Sequence, residues 1–298
     1  MAIPQYRSAS AKTTDATSPF SVVVPLPTGI VANDIILLIG STIAGGSMSI
    51  SADGSVTPWT AVTGSPIDVT GGEKLYVWWG RYSSGSTGPT ITATSDHINS
   101  CTVAFSGCIT TGSPIDNQVT GSEVTSDTSF SFTTGISTSV NDCLDLVIYT
   151  SGVDSNTGQG GAPANANLSS VTLRLEYQTT AGGGGGYVLA TGGLATAGAI
   201  GTWSDTMVSS TPKSYITIAL KPPQAQTFTE YPKARGSTQS FTRLNTFFTL
   251  SPVTPSQPRA KVLLQPLYIL NPKVLVLSTS KAQFVSTYLV QSISSATA

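Results

Sequence analysis

Lys74-Leu75-Tyr76-Val77-Trp78-Trp79 is the stretch on which the fold class turns. It is rich in aromatic and branched side chains, the composition of a strand on a pleated, packed surface. Side chains alternate between the two faces of an extended chain, so Leu75, Val77 and Trp79 point one way. Tyr76, Trp78 and, farther on, Tyr82 point the other. If the first face belongs to a core, the second offers one of two things. It is a stacking platform for sugar rings, or it is covered in turn, so that the two faces pack on the opposite sheet and on a neighbouring subunit.

Runs of the same kind recur on both sides of it. Residues 20–24, 34–39, 90–94, 101–105, 130–132, 143–149, 171–177 and 215–220 are short apolar or alternating segments separated by turn residues. Nine such runs predict two packed sheets, the pattern of a β-sandwich or jelly roll. Between them lie Gly45-Gly46, Asp53-Gly54, Gly71-Gly72, Gly160-Gly161 and the glycines of residues 182–186, which read as tight reversals and a flexible surface loop. Charged residues are only 10% of the chain, against roughly 25% in an average domain, while Ser, Thr and Gly abound. Helix is expected to be scarce.

The net charge of −1 conceals a division. Residues 1–220 hold fourteen acidic and six basic side chains, a net −8. Residues 221–298 hold Glu230 alone against Lys221, Lys233, Arg235, Arg243, Arg259, Lys261, Lys273 and Lys281, a net +7. After Lys221-Pro222-Pro223 glycine falls to Gly236 alone and Pro232, Pro252, Pro255, Pro258, Pro266 and Pro272 recur. Such proline spacing disfavours a helix interior or a central strand. Apolar runs such as Val274-Leu275-Val276-Leu277 still require burial. The reading is an N-terminal arm over residues 1–18, a sandwich over 19–222, and over 223–298 an extended, basic, proline-rich region. That region is either an arm that docks on neighbouring subunits or a small β-domain. Its basic charges are scattered singly without interleaved aromatics, so attachment to an acidic protein surface is favoured over nucleic acid.

Candidate chemistry is sparse. His97, in Thr94-Ser95-Asp96-His97-Ile98-Asn99, is the single histidine; no nucleophile-elbow motif accompanies it, and its polar surroundings read as a turn. Cys101, Cys108 and Cys143 are odd in number and read as buried small hydrophobes rather than disulfide or zinc ligands. Asp142 with Asp145, or Asp53 with Asp68, are the pairs that could approach a calcium ion, but solvated turn carboxylates are the better reading. No cofactor or metal is expected. Met1-Ala2-Ile3-Pro4-Gln5-Tyr6-Arg7 lacks the pattern of a secretory signal, and no run reaches the eighteen or so apolar residues of a spanning helix. Synthesis in a cytoplasm and no membrane partner are the expectations.

The order of several motifs resembles a known family. These are Pro27-Thr28-Gly29-Ile30, the Asn33-Asp34 corner, Pro58-Trp59-Thr60, Val77-Trp78-Trp79 and Val103-Ala104-Phe105-Ser106-Gly107. A second Asn141-Asp142 corner and the closing Ile216-Thr217-Ile218-Ala219-Leu220-Lys221-Pro222 complete the series. Together they resemble jelly-roll structural proteins of tailed bacteriophages, of the decoration, fibre or tail-associated type, across roughly residues 15–222. The resemblance implies a non-enzymatic virion component. Its partners would be capsid or tail subunits and copies of itself, with Lys233, Arg235, Arg243, Arg259, Lys261, Lys273 and Lys281 as the assembly arm. The alternative is a receptor- or carbohydrate-binding adhesin that meets a host glycan through Tyr76, Trp78 and Tyr82.

Overall fold

Alternation along the chain is realised as strands. The computed structural model describes residues 2–223 apart from Ser95, Asn156, Thr157 and Gln159, and beyond them two short paired segments. In chain order the strands are β1 (Gln5–Ala9), β2 (Thr13–Asp15), β3 (Ser21–Val23), β4 (Ile35–Ile43), β5 (Met48–Ala52), β6 (Thr60–Ala61), β7 (Glu73–Arg81) and β8 (Thr90–Ala93). They continue as β9 (Ile98–Ser106), β10 (Ile115–Thr133), β11 (Cys143–Ser151), β12 (Ser169–Thr179), β13 (Gly185–Leu194), β14 (Thr202–Leu220), β15 (Phe248–Thr249) and β16 (Lys261–Val262). No helix occurs among the described residues. The protein is all-β, and every sheet is antiparallel.

Residues 1–224 form one compact unit and residues 225–298 another. In the first, one sheet runs β1-β9-β4-β7-β6 with β2 also on β9, a second runs β10-β14-β11-β13-β12, and a third runs β3-β8-β5. Strand β4 explains the layering. Ile35, Leu37 and Ile39 enter a core shared by the first and second sheets, with Leu75 and Val77 from β7 and Leu146, Ile148, Leu189 and Ile218 from the facing sheet. Its other face is also apolar: Leu38 packs with Val24, Met48, Tyr76 and Ile91, so the third sheet covers the outer side of the first. A fully buried Leu or Ile side chain is worth about 1.5–3 kcal/mol, which makes a strand buried on both faces a strong organiser.

The second sheet covers its own outer face. β10 and β14 are each nineteen residues long, and their register shifts at Glu123/Asp127 and Asp127/Ser129. Bulges bend a strand and increase its twist. Beyond them Phe130, Phe132, Trp203 and Met207 pack on Val147, Tyr149 and Val188. Phe130 stacks on Tyr149 with ring centroids 4.2 Å apart.

Two expectations are revised. Residues 5–9 and 13–15, within the span 1–18 read as an N-terminal arm, are β1 and β2, both paired to β9, and Tyr6 sets its ring edge-on to Phe105. The glycines of 182–186, read as a flexible surface loop, lead into a strand: β13 begins at Gly185, and Gly184 to Gly186 are buried. Close approach explains the residue type. A Cβ on Gly186 would lie 1.9 Å from the Tyr177 carbonyl oxygen on β12.

Candidate functional site

β7 and β9 flank β4, with Glu73 opposite Ile43 and Asn99 opposite Ser41. This register brings the head of β7 beside the turn that enters β9. There His97 is wholly buried, in a turn as its polar neighbours suggest but closed off from solvent. Its Nδ1 lies 2.7 Å from Asp96 Oδ2 and its Nε2 lies 3.2 Å from Glu73 Oε2, which is itself buried. Asp96 sits at φ +61°, a left-handed conformation that aspartate tolerates better than most residues.

The β12–β13 hairpin closes over this cluster. The Gly183 N–H donates to Asp96 Oδ2 at 2.7 Å. A Cβ on Gly185 would meet the Glu73 carboxyl carbon at 2.6 Å, and one on Gly182 would meet the Asp96 carbonyl oxygen at 2.7 Å. Asn99 Nδ2 donates to the carbonyls of Tyr177 and Gly185, and the Ser214 hydroxyl of β14 donates to the Glu73 carbonyl. The cluster therefore ties the first sheet to the second. Beside it is an open recess of about 570 Å³, whose lining includes Ile43, Asp68, Thr70, Gly72, Glu73 and Gly183.

Electrostatics follow from burial and pairing. Burial raises the Glu73 carboxyl, and the hydrogen bond and charge of His97 only partly offset this. Burial alone would lower His97, but the hydrogen bonds and charges of Glu73 and Asp96 together outweigh it and raise the imidazole above its ordinary value. For Asp96 the modest burial acts upward, while His97 and the Gly183 N–H bring the net shift down. Both ring nitrogens of His97 are engaged by carboxylates. That is not the geometry of a base activating a hydroxyl or thiol nucleophile.

A second buried acid lies in β11. Asp145, expected as a solvated turn carboxylate, is fully buried. It accepts from Trp203 Nε1 at 2.7 Å and lies 3.0 Å from the Thr217 hydroxyl, which also reaches the Leu146 carbonyl at 2.9 Å. Burial pushes this carboxyl up to about 8, against the opposing pull of those hydrogen bonds. Asp205 accepts from the Tyr149 hydroxyl and from the N–H groups of Gly161, Ala162 and Thr206.

The aromatic residues singled out from sequence do not share one exposed surface. Tyr76 is buried beneath the third sheet, donates its hydroxyl to the Gly46 carbonyl and stacks on half-buried Trp78 with centroids 5.5 Å apart. Tyr82 belongs to a different cluster, with Ile36, Val56 and Trp59, and donates to the Gly85 carbonyl. Asp53 accepts from the Thr57 hydroxyl, while Asp68 pairs with Lys74 at 3.3 Å. Among the described residues no group of three or more His, Cys, Asp or Glu is arranged to hold a metal ion. Cys101, Cys108 and Cys143 are buried free thiols, each raised to about 12 by burial. Lys233, Arg235, Arg243, Arg259, Lys273 and Lys281 lie outside the described residues, and of Lys261 only the backbone is described, as the first residue of β16.

The sequence reading missed Glu73 and Asp96 as partners of His97. The available signal was an Asp-His pair and a strand-leading glutamate in a chain with little charge. No family model matches the chain, and comparison with curated proteins and with solved structures returns no match.

Proposed function

We propose that this is a non-enzymatic structural protein of a bacteriophage virion, either a capsid decoration or an attached fibre or tail component. A jelly-roll-type sandwich would form its body, and the basic C-terminal region would fasten it to other virion subunits. It would be made in the host cytoplasm and act in the particle. The observation that carries the reading is the division of charge, net −8 over residues 1–220 and net +7 over 221–298, which falls beside the division between compact units at 224/225. A body and a fastening of opposite charge suit assembly, because oppositely charged surfaces accelerate and orient encounter between subunits. The layered antiparallel sheets support a rigid, surface-forming body, and the resemblance in motif order supports its setting.

Deletion of residues 224–298 tests the reading. The truncated protein is expected to fold, with the strand content and cooperative unfolding of the intact first unit, and to be missing from particles purified away from free protein. Incorporation at the level of the full chain would refute fastening by the C-terminal region.

A further inference from the structure

The two contacts of His97 impose a count of hydrogens. Nδ1 faces Asp96 and Nε2 faces Glu73, and each nitrogen–oxygen contact needs one hydrogen between its atoms. With both carboxylates ionised, only an imidazolium supplies both. We propose that Glu73, His97 and Asp96 form a proton-retaining clasp, which holds the glycine hairpin of residues 182–186 against the first sheet while the ring is doubly protonated and releases it in alkali rather than in acid.

The direction follows from the geometry. In acid a further proton settles on a carboxyl, whose remaining carbonyl oxygen still accepts from the ring, so both contacts persist. In alkali the ring loses one hydrogen, and at one contact a nitrogen lone pair then faces an anionic oxygen. If that contact is the one to Asp96, the carboxylate turns away and takes with it the acceptor of the Gly183 N–H. If it is the one to Glu73, an ion is left unpaired in a buried position against Gly185. Either loss undoes the same hairpin, and Gly183 and Glu73 both line the recess.

Among the described residues few charged groups face the cluster from the elements packed on it. Glu73 on β7 and Asp96 before β9 face His97 directly. Asp154, after β11, packs against Gly184. From β4 the neighbour is the Thr42 hydroxyl, which donates to the His97 carbonyl. Lys74 is turned to Asp68, and Lys12 donates to the Gln178 carbonyl at the hairpin stem. The raised imidazole and the lowered Asp96 carboxyl agree with an ionised clasp at neutral pH, whereas burial raises the Glu73 carboxyl and acts against it.

Because His97 is the single histidine, one imidazole ring reports on the clasp. Nitrogen-15 spectra of the full-length protein, recorded from about pH 5 to pH 10, follow both ring nitrogens while amide exchange follows Gly183 and Gly185. The expected result is a doubly protonated ring at pH 7.5. Its deprotonation should coincide with a rise of about tenfold or more in hairpin exchange beyond the intrinsic base-catalysed increase. A neutral ring at pH 7.5 would overturn the proposal, as would a hairpin whose protection ignores the His97 transition. His97→Gln, whose amide does not titrate in this range, is expected to remove the transition from the hairpin amides. Persistence of that transition in the variant counts against the clasp, and the wild-type titration decides alone if the variant does not fold.

Discussion

Glu73 and Asp145 are both carboxylic acids removed from water, and the molecule keeps them there by different means. Under the proposed clasp Glu73 is given a cation: His97 faces it, with Asp96 on the far side of the ring. Asp145 is given neutral partners, the Trp203 indole N–H and the Thr217 hydroxyl, and burial pushes its carboxyl up to about 8. Burying an ion costs several kcal/mol unless it is paired and fully hydrogen-bonded. The first site accepts that cost and offsets it by pairing; the second avoids it by staying neutral. Removing charge should therefore have opposite consequences at the two sites.

The largest effect is expected where donor and packing are lost together. Trp203→Ala removes a fully buried ring from the outer core of the second sheet and the shorter of the two hydrogen bonds to Asp145. A loss of about 5 kcal/mol is expected by denaturant unfolding, most of it from the cavity. Trp203→Phe keeps an aromatic ring but loses the donor and part of the indole's volume, so it should cost less, about 2–3 kcal/mol. Equal losses in the two variants would mean that the indole N–H, rather than the packing, holds this site together.

His97→Gln comes next, at about 3 kcal/mol near pH 6, because it leaves buried Glu73 without its cation. His97 has a folded value raised above the 6.5 of the unfolded chain. Its contribution is therefore fully present below about pH 6.5 and is lost as pH rises through the folded value. The gap between wild type and variant should narrow in alkali. A gap that stays constant from pH 6 to pH 10 would assign His97 a purely steric role.

Part of this was legible in the residues. Alternation in 74–79 correctly separated Leu75, Val77 and Trp79, which meet the main core, from Tyr76 and Trp78 on the other side. What covers that other side was not legible, because β3, β5 and β8 are short, Ser/Thr-rich strands whose role depends on where the chain returns. β13 was obscured by Gly185, Gly186, Gly192 and Gly193, which dilute the apolar pattern although close backbone approach demands several of them. Much of β10 was hidden because Thr, Ser and Asp fill an edge strand half open to solvent. The His97 cluster was illegible for a different reason. Its members are separated by 24 residues from His97 to Glu73 and by 87 from Asp96 to Gly183; the pairing of β7 and β9 on β4 brings the first two together, and the β12–β13 hairpin brings Gly183 to Asp96.

The opposite sign belongs to Asp145→Asn. In the unfolded chain this acid ionises near 3.8, while the folded protein holds the proton to about 8. Across that window the unfolded state binds fewer protons than the native state, so stability falls as pH rises from about 4 to about 8 and this group adds no further change above it. Asparagine abolishes that fall. Its carbonyl can accept from Trp203 and its amide can donate to Thr217, at the cost of one additional N–H to satisfy. The variant is expected to be slightly less stable than wild type near pH 4 and clearly more stable at pH 9, by denaturant unfolding at the two values. Equal destabilisation at both would show that the site binds an ionised carboxylate after all.

Thr217→Val is the smallest test and the sharpest on mechanism. The protonated Asp145 hydroxyl can donate to Thr217, whose own hydroxyl then donates to the Leu146 carbonyl, and a methyl interrupts that chain without opening a cavity. A cost of about 1 kcal/mol is expected. Thr217 also lowers the Asp145 carboxyl by hydrogen bonding to it, so its removal should extend the pH-dependent fall in stability to still higher pH. A fall that ends at lower pH in the valine variant would mean that Thr217 favours the neutral acid more than the ion, and that the proton on Asp145 is held by this hydroxyl rather than by burial.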